Sequence, residues 1–254
     1  MRKYSFNEGF FDELTEKSAY WLGFLYADGY VRMKDGKSGE VKLKLKDTDK
    51  SHIEKFLNDL ECDKPIKCGV DNKSKFCSVT VYSNKMVNTL IELGCMNNKT
   101  FKITFPKLEF NLLRHFVRGY FDGDGSISKN SNKWSVINIA GNENFIPSLK
   151  NFLIECGLTK VNIHQMGKIK ILTITNLSDV FKFKQILYNG ETVSLERKKN
   201  RFEDVKKDFV LKEEFLELIN KFKLTTFNKY ISHVAFNKLS RFPRNPESEY
   251  NFKF

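Results

Sequence analysis

One nine-residue pattern occurs twice and limits what this chain can become. Trp21-Leu22-Gly23-Phe24-Leu25-Tyr26-Ala27-Asp28-Gly29 is repeated as Val117-Arg118-Gly119-Tyr120-Phe121-Asp122-Gly123-Asp124-Gly125. Each copy is an apolar run with small residues four apart, Ala19, Gly23 and Ala27 in the first and Gly119 and Gly123 in the second. That spacing stacks the small residues on one face of a helix, where two backbones can approach closely. Each run then ends on an acid followed by glycine, which predicts a helix stopped by a left-handed glycine with the acid in the last turn.

The end of such a helix exposes carbonyl oxygens without intrahelical partners and is the negative pole of the dipole. If the two small faces pack together, Gly23, Ala27, Gly119 and Gly123 form the repeat interface. Asp28 and Asp124 then arrive side by side, beside the carbonyls of Ala27 and Gly123. This all-oxygen set suits Mg²⁺, and its two carboxylates would repel each other without a cation. In the same register Tyr26 faces Asp122, so Asp122 has no acidic counterpart and is left out of the metal set. A buried core helix ending in a turn explains one copy; two copies with a matching helix stop and acid favour the paired site.

These stretches resemble the paired motifs of the LAGLIDADG homing endonucleases, in the form where one chain carries both. The run from Ala19 to Gly29 is especially similar, and the resemblance extends over about the first two hundred residues. It implies an α+β fold of two pseudo-symmetric αββαββα repeats, with the motif helices at their interface and two antiparallel sheets forming a saddle over DNA. It also implies a monomeric, Mg²⁺-dependent, site-specific double-strand DNA endonuclease that serves intron homing. Such an enzyme cuts across the minor groove of a long asymmetric site and leaves short 3′ overhangs. Mn²⁺ is expected to substitute for Mg²⁺, and Ca²⁺ to bind without supporting cleavage. Basic residues beside the family's active centre correspond here to Lys99 and Lys198, with Arg197 as the alternative in the second half.

The rest of the chain follows a duplicated order, read as a first repeat over 1–100, a second over 101–200 and a helical extension with a tail over 201–254. After the first motif, Val41, Leu43 and Leu45 alternate with Lys42, Lys44 and Lys46, the pattern of a strand with one cationic face. A helix is expected from about Lys50 to Glu61, capped by Asp49. A hairpin from Lys64 to Ser83 turns at Asp71-Asn72-Lys73-Ser74 and exposes Ser78, Thr80 and Tyr82; a helix from Lys85 to Leu93 follows. The second half offers strands from Ser128 to Ala140, a helix from Glu143 to Cys156, a hairpin from Lys160 to Asn176 and a helix from Asp179 to Tyr188. Thr173-Ile174-Thr175-Asn176 echoes Thr80-Val81-Tyr82-Ser83-Asn84, and Ile154-Glu155-Cys156 echoes Leu60-Glu61-Cys62. Candidate DNA contacts are therefore Lys42, Lys44, Lys46, Ser78, Thr80, Tyr82, Asn138, Lys168, Lys170, Thr173 and Thr175. Phe215, Leu218, Ile219 and Phe222 give the extension an amphipathic helix, and Pro243 and Pro246 mark the tail.

A formal net charge of +12 points to a polyanionic partner, while 41% hydrophobic residues provide for a real core. Met1 to Lys17 lacks an apolar signal core and no run is long enough to span a bilayer, so an intracellular protein without a membrane partner is expected. The five cysteines form no Cys-x-x-Cys pair and are read as reduced thiols. No His-Glu-x-x-His motif, nucleophile elbow or phosphate-binding loop occurs, which disfavours zinc proteases, serine hydrolases and nucleotide triphosphatases. Thirty-five lysines against eight arginines, with abundant Asn and Phe, suggest an A/T-rich genome of an organelle, phage, virus or bacterium. The main alternative is a nucleic-acid-binding module that does not cut, an RNA splicing maturase on intron RNA or a regulator.

Overall fold

The computed structural model describes residues 4–34, 37–95, 102–129 and 135–202. Lys99 and the extension and tail beyond residue 202 lie outside these residues. The first repeat comprises α1 (Glu16–Ala27), β1 (Gly29–Lys34), β2 (Lys37–Lys46), α2 (Lys50–Asp59), β3 (Lys67–Asp71), β4 (Ser74–Tyr82) and α3 (Asn84–Glu92). The second repeats the order as α4 (Phe110–Asp124), β5 (Gly125–Lys129), β6 (Ser135–Gly141), α5 (Ile146–Glu155), β7 (Val161–Met166), β8 (Ile169–Ile174) and α6 (Leu177–Tyr188), followed by α7 (Glu196–Asn200). The two four-stranded antiparallel sheets have the same order, β1-β2-β4-β3 and β5-β6-β8-β7. This is the expected α+β pair of αββαββα units.

Helix α1 begins with a capping box in which Thr15 and Ser18 each accept the other's backbone N–H. Every residue from Ser18 to Ala27 is buried. A surface helix would bury one stripe; α1 is apolar all round because sheet and helices cover one side and α4 the other. The contact with α4 depends on glycine. A Cβ on Gly23 would lie 1.9 Å from the Phe116 carbonyl oxygen, and one on Gly119 would lie 1.9 Å from that of Tyr20. Backbone therefore meets backbone, and neither position has room for a methyl group.

The motif-ending glycines work differently from the expectation. Gly125 is extended (φ −80°, ψ 161°), and Gly29 is absent from the described glycines with positive φ, which are Gly94, Gly157, Gly167 and Gly190. Their requirement is space, because each strand leaves its helix by folding tightly back over the last turn. A Cβ on Gly29 would lie 2.5 Å from Leu25 Cδ2, and one on Gly125 would lie 2.1 Å from Phe121 Cδ2.

Three smaller expectations also change. Asp49 occupies the N-cap position of α2 but makes no capping bond; its carboxylate accepts instead from Arg197 Nε at 2.8 and 3.0 Å. Cys68 and Cys77 form a disulfide, because the β3–β4 register sets them opposite each other with Cα atoms 4.0 Å apart, whereas Cys62, Cys95 and Cys156 are free thiols. The echo of Leu60-Glu61-Cys62 lies two residues further on than composition suggested. Cys62 N–H donates to Leu57 O and Leu158 N–H to Leu153 O, so left-handed Glu61 (φ 52°) matches Gly157 (φ 84°) at equivalent helix ends. The hairpin turn is as expected, with Asn72 (φ 45°) and Lys73 (φ 67°) both left-handed between paired Asp71 and Ser74.

Gly119→Ala is expected to force the motif helices apart and cost at least ~3 kcal/mol. Urea unfolding measures this, and a loss below ~1 kcal/mol would contradict backbone contact at this glycine.

Candidate active site and nucleic-acid interface

The two motif helices end together. Asp28 caps α1, with its N–H donating to Phe24 O at 2.9 Å, while Asp124 is the last residue of α4; both are exposed. A Cβ on Gly123 would lie 2.2 Å from Ala27 Cβ and 3.5 Å from Asp28 N, so the helix ends touch just before their acids. Lys198 enters from α7. Its Nζ donates to the carbonyls of Phe121 (2.7 Å), Gly123 (2.8 Å) and Gly125 (2.5 Å). Burial pushes its pKa down to about 8; the Arg197 charge adds to that, while Asp122, Asp28 and Asp124 oppose it. Lys198 thus lies within the field of both acids. Its ammonium has three N–H bonds to give, and the end of α4 takes all three. The role this arrangement supports is a cap holding Asp124 in place. Arg197, the alternative, is turned toward Asp49 of the first repeat.

As a metal site the donor set has the right chemistry and is incomplete. Asp28 and Asp124 are hard carboxylates, but the Gly123 carbonyl already accepts from Lys198. Among the described residues no group of three or more His, Cys, Asp or Glu side chains forms a metal cluster. Mg²⁺ tolerates such a site because it keeps several waters and takes phosphate oxygens alongside one or two carboxylates.

Asp122 belongs to the interior. Fully buried, it accepts from Tyr20 OH of α1 (2.8 Å), from the Leu195 N–H (2.7 Å) and from Tyr188 OH of α6. Burial raises its pKa and these donors oppose the rise. Since Tyr20 gives its proton to Asp122, it accepts from His52 Nε2 at 2.9 Å, leaving buried His52 Nδ1 without a partner. Arg118 also crosses the interface, with its guanidinium 5.2 Å from the Tyr20 ring centroid and bonds to Val193 O and Leu187 O, both 2.8 Å. His115 of α4 is buried among arginines. Arg118 faces its Nδ1 at 3.1 Å and Arg114 Nε faces its Nε2 at 3.2 Å, with Glu16 3.6 Å from Nε2; a neutral imidazole has one acceptor, so only one of the two arginines can be hydrogen-bonded to it at a time. Burial lowers the pKa of His52 to about 3 and of His115 to about 2, reinforced by neighbouring cations.

The sheets place the candidate contacts unequally. On the first, Lys42 is half-buried while Lys44, Lys46 and Tyr82 are exposed, with half-buried Ser78 and Thr80 on the same face. A groove lined by Asp28, Tyr30, Glu40, Lys42 and Lys44 joins this face to Asp28. Lys44 is held by Asp71 at 2.8 Å and lies 4.1 Å from the Phe76 ring centroid. On the second sheet Thr173 and Asn138 are cross-strand neighbours, with the Thr173 hydroxyl donating to Asn138 Oδ1 at 2.9 Å, and Thr175 is exposed just past β8. Lys170 departs from the expectation, since alternation puts it on the face that carries buried Leu172 and Ile174, opposite to Thr173. Lys168 lies in the β7–β8 turn rather than on a strand. Tyr30 and Glu40 were missed; strict alternation along β1 and β2 was the signal for them.

Residues 111–187, from the start of α4 almost to the end of α6, match the model of the LAGLIDADG-like domain. The chain has the LAGLIDADG fold. It is 28% identical over 210 residues to the replication factor C small subunit of Methanocaldococcus jannaschii, covering 80% of this chain but only 11% of that protein. Among solved structures, I-WcaI bound to its DNA recognition sequence matches with a TM-score of 0.54 at 15% identity, covering 76% of this chain and 91% of its own. I-DmoI in complex with DNA and Ca matches with a TM-score of 0.51 at 17% identity, covering 78% and 98%. I-GzeII, a LAGLIDADG homing endonuclease in complex with its DNA target, has a TM-score of 0.50 at 14% identity, covering 93% and 100%. No helix among the described residues is long and apolar enough to cross a membrane.

Two outcomes follow from the interior of this LAGLIDADG fold. His52 and His115 are neutral when folded and titrate near 6.5 when unfolded, so the unfolded chain binds more protons below that pH. Their contribution is complete above about pH 6.5 and is lost as pH falls toward their folded values. The loss is at most ~1.4 kcal/mol per pH unit for each histidine. Urea melts from pH 8 to 4 should show it, and His115→Asn should flatten the curve. Lys198→Met removes the donor from three carbonyls and should destabilise the protein by ~2–4 kcal/mol, again read from urea melts.

Proposed function

We propose that this chain is a site-specific DNA endonuclease that cleaves both strands of a long asymmetric site as a monomer. The observation that carries the reading is the pair of exposed acids at the joined ends of α1 and α4, both within the field of one buried lysine, with a groove running from Asp28 to a cationic sheet face. Asp28 and Asp124 would hold divalent ions, with Mg²⁺ the expected metal and Mn²⁺ a substitute. A bound Mg²⁺ supplies a Lewis acid that lowers the pKa of a coordinated water and stabilises the leaving 3′ oxygen. The protein's own part is placement: the Gly23–Gly119 contact fixes the spacing of the acids, and Lys198 fixes the turn that carries Asp124. The sheets bind the duplex on either side, with Lys42, Lys44 and Lys46 contributing to the attraction of phosphate. Short 3′ overhangs and a role in moving an intervening element complete the reading, which rests on the resemblance.

The test is cleavage of a randomised plasmid library in Mg²⁺, beside Ca²⁺ and the Asp28→Asn and Asp124→Asn variants, with sequencing of the ends. Defined ends are expected only with Mg²⁺ and intact acids, each single substitution abolishing cutting of at least one strand while DNA binding persists. Tight binding to DNA or RNA without cutting would replace the nuclease with a binding module. Undiminished double-strand cleavage by the double variant would overturn the roles of the acids.

A further inference from the structure

The two sheets have the same register but present different chemistry on their open faces. Gly29 pairs with Leu43 and Gly125 with Ile139, so the registers superpose one repeat on the other without ambiguity. At five equivalent open-face positions the first repeat carries Arg32, Glu40, Lys42, Lys44 and Lys67. The second carries Ser128, Val136, Asn138, Ala140 and His164. Ser78 of the first sheet is likewise replaced by Ile171. The acid, the arginine and the lysines have been exchanged for valine, serine, asparagine, alanine and histidine.

Val136, Ala140 and Ile171 are only half-buried, and Ala140 pairs directly with Ile171. They sit on the side of the sheet away from the core and leave apolar surface facing outward. Around Asn138, the hydrogen bond from Thr173 fixes the amide, so that Nδ2 is the group turned to donate. Apolar groups interspersed with one oriented amide donor are poor at neutralising phosphates. In a major groove they match the 5-methyl group of thymine and the acceptor edge of an A·T pair.

We propose that the second sheet reads a thymine-rich half-site through Val136, Ala140 and Ile171, while the first sheet engages the other half-site mainly by charge. This rests on the DNA reading above and adds to it how the two halves of the target differ. Affinity for the second half-site would then depend on base methyl groups and affinity for the first on salt.

The experiment begins by selecting bound DNA from a random library with the full chain. Positions whose selected base changes, or whose contact is lost, in Lys42→Ala assign the first half-site; the remaining half belongs to the second sheet. Deoxyuridine is then substituted for thymidine in one half at a time, which removes only the methyl groups. In the second half-site binding should weaken about fourfold per contacted methyl, the transfer free energy of one buried methyl group expressed as a ratio. In the first it should change less than about twofold. Ile171→Ser should abolish part of the deoxyuridine effect while leaving the salt dependence of binding intact. Lys42→Ala should lower the salt slope by about one and leave the deoxyuridine effect intact. Equal sensitivity of both halves, or none in either, would overturn the proposal while DNA binding stands. A library that yields no bound duplex would overturn the DNA reading itself, and this proposal with it.

Discussion

The contact of two peptide backbones at Gly23 and Gly119 governs the molecule. Most helix pairs are separated by side chains, which set their spacing with a tolerance of an ångström or more. Here the separation is set by main-chain atoms, and no rotamer change can absorb an added methyl group. The ends of α1 and α4 are therefore fixed relative to each other. So are the acids at those ends, Asp28 and Asp124, and the two sheets that begin one residue after each acid.

Around this contact the interior is more polar than a core of its size requires. Asp122, Tyr20, His52 and Tyr188 form a buried chain of hydrogen bonds joining both repeats, with the Arg118 guanidinium against the Tyr20 ring and hydrogen-bonded to His115. Such groups cost desolvation free energy, and the compensation is geometric, since the Tyr20–Asp122 bond fixes a position across the interface and the bonds from His52 and Tyr188 hold its two ends. The segment leading into α7 extends the connection: Lys55 of α2 donates to Ser194 O and to Glu196, Arg197 binds Asp49, and the Leu195 N–H reaches Asp122. The second repeat thus ends by fastening itself to the first.

Much of this was legible in the sequence because it is periodic. The small residues of α1 and α4, the alternation of Val41 to Lys46 and the Asp71–Ser74 turn each follow from local spacing. What escaped depends on partners distant in the chain. Nothing local shows that Asp49 belongs to Arg197 rather than to its own helix, or that Lys198 spends its donors on α4. The Cys68–Cys77 bond was missed because it follows from hairpin register, which a count of cysteines does not contain. Gly29 and Gly125 were identified as necessary for the wrong reason: a left-handed stop and a crowded reversal both ask for glycine, and only coordinates separate them. The side-chain sites remain the least legible part, since Lys170 and Thr173 looked alike until strand alternation put them on opposite faces.

The Tyr20–Asp122 bond bears on ancestry. In the common register Tyr20 corresponds to Phe116, and Asp122 to Tyr26, so donor and acceptor are each present in one repeat and missing from the other. A symmetrical pair of first repeats would hold two Tyr20 hydroxyls and no acid to receive them. A pair of second repeats would hold two acids, each short of that donor. Two copies of either present repeat could not contain this bond. Once the halves had divided it between them, neither could return to pairing with a copy of itself without leaving a buried polar group behind.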